Sequence, residues 1–382
     1  MKAEAKRFAA AHPTDVADLL VAAQGLASTR DTDDARGLLD QAARADPASP
    51  RPWIALGLFE SALGRRDPAD AAFRRALQAD PRSVAALLGE AKLFLATGDP
   101  ARAVEPLAKA RALAPDDATV RLLSGALALA QGRGPDAVNA FQRLTASHPR
   151  SAVLQTDLAR ALVLARRPTD ARAAIVRAVK LDPRYWPALV IDVGLALQAR
   201  DLDAAQQLLP QLRTTQAPSA IVRSVEGDVA AHQGRLQEAL SDYSAAATTA
   251  PSAALALEMA SLRHALHLAE PDAPLDAWLR RAPHDDRVRM VLAQSLLGSA
   301  QGAAAARQYE AVLADRPKQL IALNNLAWLR LEAGRPDGAL TLARQAYAIA
   351  PGNTSVEDTF GWALVQSGNA TDALPILRSA HN

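Results

Sequence analysis

The sequence predicts an all-α solenoid: about eleven helix-turn-helix units of 34 residues, stacked in tandem over residues 1–382 as a single domain. Three observations predict it. Prolines fall at an even spacing of 34 at Pro13, Pro47, Pro81, Pro115, Pro149 and Pro183, and continue at spacings of 32 to 35 through Pro218, Pro251, Pro283, Pro317 and Pro351. A small residue keeps the same beat at Ala35, Ala69, Ala103, Ala137, Ala171, Ala205, Ala239, Ala305, Ala339 and Ala373. The composition is alanine-rich, 49% hydrophobic and only 4% aromatic, which suits closely packed helices and disfavours a β-rich fold. A chain of 382 residues also exceeds the ~250–300 at which one round core stops growing. A solenoid has no such limit, because each unit packs only on its neighbours.

Each unit has its own start and stop signals. A proline forces the residue before it out of the α region, so a helix ends there. Two residues later stands a side chain able to accept from the free N–H groups of a new helix: Asp15, Ser49, Ser83, Asp117, Ser151, Asp285 and Asn353. Tyr185 and Gln319 break this column. A second stop lies mid-unit at Gly64, Gly98, Gly132, Gly234, Gly334 and Gly368, where glycine suits a left-handed closing residue. Prolines that open the next helix follow at Pro68, Pro100, Pro135, Pro168 and Pro336. Four residues after each small position comes a bulky one: Leu39, Phe73, Leu107, Phe141, Ile175, Leu209, Tyr243, Tyr309 and Leu377, with Ala343 the departure. The small residue lets two helices approach, and the bulky one fills the space beside it. Residues 252–283 form a degenerate unit, shortened and with Pro271 and Pro274 in its turn, to be read as a hinge or as simple drift. Residues 1–13 read as the second-helix tail of a truncated unit, and the abrupt end at "DALPILRSAHN" points to a fragment of a longer protein or to packing at the ends.

The unit beginning at Pro50 carries Trp53, Leu56, Gly57, Ala69, Phe73, Ala76 and Pro81. The spacing W-x2-L-G, then A-x3-F-x2-A, then P resembles the tetratricopeptide repeat family, over nearly all the chain. The resemblance implies a right-handed superhelix whose first helices line a concave groove for protein or peptide partners. The last two units are similar to the C-terminal repeats of bacterial envelope proteins of this family. "NNLAW" and "DTFGWAL" carry that likeness, which extends to the repeat lipoprotein of exosortase/PEP-CTERM exopolysaccharide systems. It implies a scaffold in polysaccharide assembly or export. The lipid-anchored N-terminus expected of those proteins has no counterpart here.

Charge and composition narrow the class further. With 43 basic and 41 acidic residues the net charge is +2, and no long block of one sign calls for nucleic acid or an anionic membrane. Arginine pairs such as Arg65–Arg66, Arg74–Arg75 and Arg280–Arg281 read as solvated helix faces. The chain has no cysteine, which removes disulfides and thiolate chemistry and fits cytoplasm or periplasm alike. No apolar run approaches the ~18 residues needed to cross a bilayer. "MKAEAKRFAAAHP" has no apolar stretch of the signal-peptide kind. A periplasmic or envelope location therefore requires a signal removed from this chain, and otherwise the location is cytoplasmic.

No catalytic constellation can be assembled from the sequence. There is no Gly-Lys dipeptide and hence no phosphate-binding loop, and "QGRGPDA" falls on a helix-to-helix turn. His12 and His148 precede beat prolines and sit at helix ends. His264 and His267, with Glu270 a turn further on, could bind a metal from one helix face or be packing residues. A Ser–His–Asp set cannot be nominated without assuming proximity. We expect no enzyme activity, no cofactor and no metal.

The candidate partner-binding residues lie on the first helices. Trp328 and Trp362 hold the ninth position of adjacent units, with Asn324, Asn325 and Asp358 on or near the same face. Two indoles beside amides and a carboxylate could make a shelf for a peptide or a sugar, or could be buried between repeats as ordinary core. Lys92, Arg160 and Asp228 occupy the same column in other units, which also contains Leu58, Ala126, Gly194 and Gln294 and shows no charge theme. The Lys and Asn set with which some relatives grip a terminal carboxylate is not reproduced, so chaperone-tail binding is not expected. The expected function is a non-catalytic interaction scaffold, in the context of envelope polysaccharide assembly that the resemblance implies. The alternative is the substrate-recruiting arm of a longer enzyme such as a glycosyltransferase.

Overall fold

A computed structural model describes residues 2–29 and 31–381, with the side chains of Lys2, Lys6 and Asp337 outside that description. Every regular element among the described residues is helical, and the chain divides into two compact units, 1–216 and 217–382. In the first, α1 (Lys2–Ala11) packs on α2 (Val16–Ser28). Six helix pairs make up the rest of this unit, the first three being α2 with α3 (Thr32–Ala45), α4 (Pro50–Ala62) with α5 (Arg66–Ala79), and α6 (Val84–Ala96) with α7 (Pro100–Leu113). Then come α8 (Ala118–Ala130) with α9 (Gly134–Ser147), α10 (Ala152–Leu164) with α11 (Pro168–Leu181), and α12 (Trp186–Gln198) with α13 (Leu202–Arg213). The second unit stacks α14 (Ser219–His232) with α15 (Leu236–Thr249), α16 (Ala253–Ala265) with α17 (Ala273–Leu279), and α18 (Asp286–Gly298) with α19 (Gly302–Asp315). It closes with α20 (Leu320–Glu332) on α21 (Pro336–Ile349) and α22 (Thr354–Gln366) on α23 (Ala370–Ala380).

The capping column works as the sequence predicts. Asp15, Ser49, Ser83, Asp117, Ser151, Asp285 and Asn353 each cap a first helix by accepting from its free N–H groups. Gln319 corrects the sequence reading. Its longer side chain folds back to accept from the Ala322 N–H and caps α20 as well. Ser252 caps α16, whereas Tyr185 makes no side-chain cap.

The mid-unit glycines close the first helices at left-handed φ, from +67° at Gly334 to +81° at Gly368. The same beat is kept where glycine is missing. Arg166 and Arg200 take φ of 58° and Ala300 takes 56°, so neighbouring packing holds these residues in a region that disfavours a Cβ.

Core packing follows from the small and bulky columns. The ten alanines of the small column are all buried. Phe73 shows why bulk is needed beside them. Its ring lies between Gly57 of α4 and Gly89 of α6, and a Cβ on either would stand 2.7 or 2.4 Å from ring carbons. One aromatic thus binds its own first helix to the next one. Where the column departs at Ala343, Phe360 supplies bulk to the same cluster and stacks on Tyr347 with ring centroids 4.9 Å apart.

Arginines that the sequence presents as solvated are knitted into the stack. Arg66 reaches Asp99 at 2.8 Å, and Arg102 and Arg74 share Asp70 at 2.9 and 3.0 Å. Glu60, fully buried, meets Arg36 at 2.8 Å. The unit at 252–283 has a second helix of only seven residues, α17, and Leu275 and Leu279 still seal it against Ala256, Ala260, Val288 and Leu292.

Candidate partner-binding face

The first helices of successive pairs pack directly on one another: α4 on α6, α6 on α8, α8 on α10 and α10 on α12 in one unit, α20 on α22 in the other. Consecutive second helices stand further apart, leaving clefts between them. The first-helix side is therefore the closely knit side of each stack, and the predicted residues are distributed along it.

The structure brings five of them together. Asn324, Asn325 and Trp328 lie on α20 and Asp358 and Trp362 on α22, two helices in direct contact. Trp328 is 41% exposed and Trp362 50%. Neither indole is sealed between repeats as Phe73 is. Ile321, one turn before Asn324 on α20, is also exposed and extends the apolar surface. Sequence inspection misses it because an isoleucine in an apolar helix looks like core.

The amides have different duties. Asn325 Nδ2 donates to the Tyr309 hydroxyl at 2.9 Å, which ties it to the core of the preceding pair. Asn324 Oδ1 is buried and has no hydrogen-bond partner among the described residues. Asp358 is exposed.

The other candidates are scattered. Lys92 is exposed on α6 and Arg160 on α10, with α8 between those helices. Arg160 stands 3.5 Å from Asp157, whose carboxyl is pushed up from its ordinary value by burial and pulled back by that arginine. Asp228, on α14, is turned into structure: it accepts from the Tyr243 hydroxyl at 2.7 Å. Burial raises the Asp228 pKa above its ordinary 3.8, and the tyrosine hydrogen bond opposes the rise. Tyr243 is pushed up in turn, by burial first and then by its bond to Asp228.

The degenerate unit corrects one reading. Helix α16 ends at Ala265, and His267 and Glu270 follow in a turn with φ of 51° and 48°, so the three residues share no helix face. The fold also makes the contact that the sequence could not nominate. His264 Nε2 lies 2.8 Å from Asp272 Oδ1 and 3.0 Å from Ser295 Oγ. The wiring is not that of a hydrolase triad. One ring nitrogen faces both partners, and the Ser295 hydroxyl donates straight to the Asp272 carboxylate at 2.7 Å. The cluster braces α16, the turn and α18. Among the described residues no group of three or more His, Asp or Glu is placed to hold a metal, and no helix is long and apolar enough to cross a membrane.

A family model described as tetratricopeptide repeat matches residues 56–118, 122–185, 195–254 and 290–354, well over half of the chain. The chain belongs to the tetratricopeptide repeat family. Cellulose synthase operon protein C of Pseudomonas fluorescens (strain SBW25) is 28% identical over 208 residues, which is 52% of this chain and 16% of that protein. This chain thus spans about one sixth of that relative's length. Among solved structures, a tetratricopeptide repeat protein from Parabacteroides merdae superposes on 65% of this chain and 98% of its own, with a TM-score of 0.57 at 17% identity. PilW, a type IV pilus biogenesis factor, covers 55% of this chain and 97% of its own with a TM-score of 0.51 at 21% identity. At such identities the two structures speak to fold alone. Tetratricopeptide repeats are protein–protein interaction scaffolds, and this solenoid of helix pairs is built as one.

Proposed function

We propose that this tetratricopeptide repeat chain holds an extended peptide segment of a partner protein against the first-helix face of α20 and α22, as a non-catalytic scaffold in assembly or export of an envelope polysaccharide. The carrying observation is the pair of half-exposed indoles, Trp328 and Trp362, at the same position of consecutive repeats. Aromatic side chains give large contact area at low cost in conformational entropy, which is why they dominate binding hot spots. Asn324 supports the reading. A buried acceptor without a donor costs ~1–3 kcal/mol, and a backbone N–H of a bound peptide would recover part of it. The polysaccharide context, and with it an envelope location, rests on the likeness to cellulose synthase operon protein C.

Panning a peptide library on the immobilised chain tests the reading. Enriched peptides should lose at least ~10-fold in affinity for Trp328→Ala/Trp362→Ala, the loss of two hot-spot side chains, while the melting temperature stays within a few degrees. Equal binding by the double variant would remove the face from consideration. Quenching of tryptophan emission by cello-oligosaccharides, with no peptide enriched, would make it a sugar shelf instead.

A further inference from the structure

A second surface lies on the opposite kind of helix. Between the second helices α7 and α9, over α8, there is a cleft of about 440 Å³. Its floor is apolar, formed by Leu107, Val120 and Leu127, and its rim carries Arg111, Arg121, Arg133 and Arg143. Among the described residues Arg111 and Arg143 have no ion-pair partner. Arg133 pairs with Asp136 at 2.9 Å on the surface, and Arg121 reaches Asp116, a carboxylate almost wholly in solvent. Such exposed pairs neutralise weakly and exchange readily. The rim is therefore a ring of guanidinium groups around a greasy floor.

The neighbouring cleft, one repeat earlier between α5 and α7, is an internal control. It has a similar volume, about 370 Å³, and the same construction. There Asp70 binds Arg74 and Arg102 at 3.0 and 2.9 Å, Lys109 is held by Glu105 at 2.7 Å, and Arg102 lies 4.0 Å over the Phe94 ring. Glu90 adds a further carboxyl, pushed above its ordinary pKa by burial and by Asp70. Every cation of that cleft is answered from within the chain. In the α7–α9 cleft, by contrast, Arg111 and Arg143 are left to be answered from outside.

We infer that the α7–α9 cleft is a docking site for an acidic peptide segment, one that seats an apolar side chain on the Leu107–Val120–Leu127 floor and sets flanking carboxylates against Arg111 and Arg143. Guanidinium groups bind carboxylates bidentately, and the volume falls within the range of sites that hold a few residues. This surface shares no residue with the indole face.

Anisotropy of a labelled EELEE peptide tests it, with QQLQQ as the uncharged comparison. The wild-type chain should bind EELEE, and raising the salt from about 50 to 300 mM should weaken binding, as for any exposed charge pairing. Arg111→Glu/Arg143→Glu should weaken it at least ~10-fold, since like charges then face each other. Arg75→Glu/Arg82→Glu makes the same change of net charge at exposed positions that line neither cleft and should alter affinity less than ~2-fold. Thermal melts show that the variants fold, and Arg111→Gln/Arg143→Gln serves if the charge reversal does not. The inference is overturned if both double variants weaken binding alike, if neither does, if QQLQQ binds as well, or if an oligogalacturonate binds the cleft more tightly than the peptide.

Discussion

The same core slot is filled differently in the two units. Among aliphatic occupants, its aromatic ones are Phe73 and Phe141 in residues 1–216 and Tyr243 and Tyr309 in residues 217–382. All four rings are buried, yet the tyrosine hydroxyls reach the first-helix side, where Asp228 accepts from one and Asn325 donates to the other. The phenylalanines leave that side uncommitted. Asp228 of the candidate column and Asn325 beside it therefore belong to the scaffold in the second unit, while Leu58, the counterpart of Asp228 beside Phe73, stays exposed. A column read off a repeat mixes display positions with structural ones, and the identity of the slot residue separates them.

The largest test of this comparison removes the slot. Phe73→Ala should cost ~3–5 kcal/mol in chemical denaturation, since a fully buried ring between two helices is lost. Hydrogen exchange should place the loss in α4 to α6, because repeats couple to nearest neighbours. Next, Phe73→Tyr should cost ~1–3 kcal/mol, because the equivalents of Asp228 and Asn325 offer the new hydroxyl no side-chain partner. A cost near zero would mean that the polar tether is not what distinguishes the units. Enlarging a wholly buried small position, as in Ala103→Leu or Ala137→Leu, should overpack by a similar ~1–3 kcal/mol.

Tyr243→Phe sharpens the comparison from the other side, with a cost of ~1 kcal/mol that depends on pH. Burial holds the folded pKa of Asp228 above 3.8, so its protonated form is favoured in the fold. Stability from this group is gained as pH falls through the raised value towards 3.8, and is lost as pH rises back to neutral. The tyrosine opposes the rise, so removing it pushes the pKa higher still. The deficit of Tyr243→Phe should be largest near neutral pH and shrink on acidification, and in Asp228→Asn this pH dependence should vanish. The smallest effect concerns helix closure. Arg166→Gly and Arg200→Gly should each raise stability by up to ~1 kcal/mol, since relief of a left-handed Cβ outweighs the added freedom of the unfolded chain.

How much of this was legible follows from which features are local. Caps, closing glycines and the alanine column depend on neighbours within one repeat, so the 34-residue beat displays them directly. Gln319 escaped because a glutamine can cap only when the chain around it lets the longer side chain return. The indoles could be placed on a helix face, but their exposure depends on how closely α20 and α22 approach. The cleft arginines are some ten residues apart in sequence, at 111, 121, 133 and 143, and form no run. Only the stacking of α7 and α9 over α8 gathers them, and only the ion pairs of Asp70 and Glu105 show that the cleft before it is neutral. The Ser295–His264–Asp272 contact likewise spans two turns and three helices.

The left-handed closures at Arg166, Arg200 and Ala300 have an evolutionary consequence. Every arginine codon and every alanine codon becomes a glycine codon by one base change. The array thus keeps stabilising substitutions within a single mutational step, at turn residues that belong neither to the indole face nor to the lining of the arginine cleft. A lineage altering either surface for a new partner could draw on them to offset what the new side chains cost the fold.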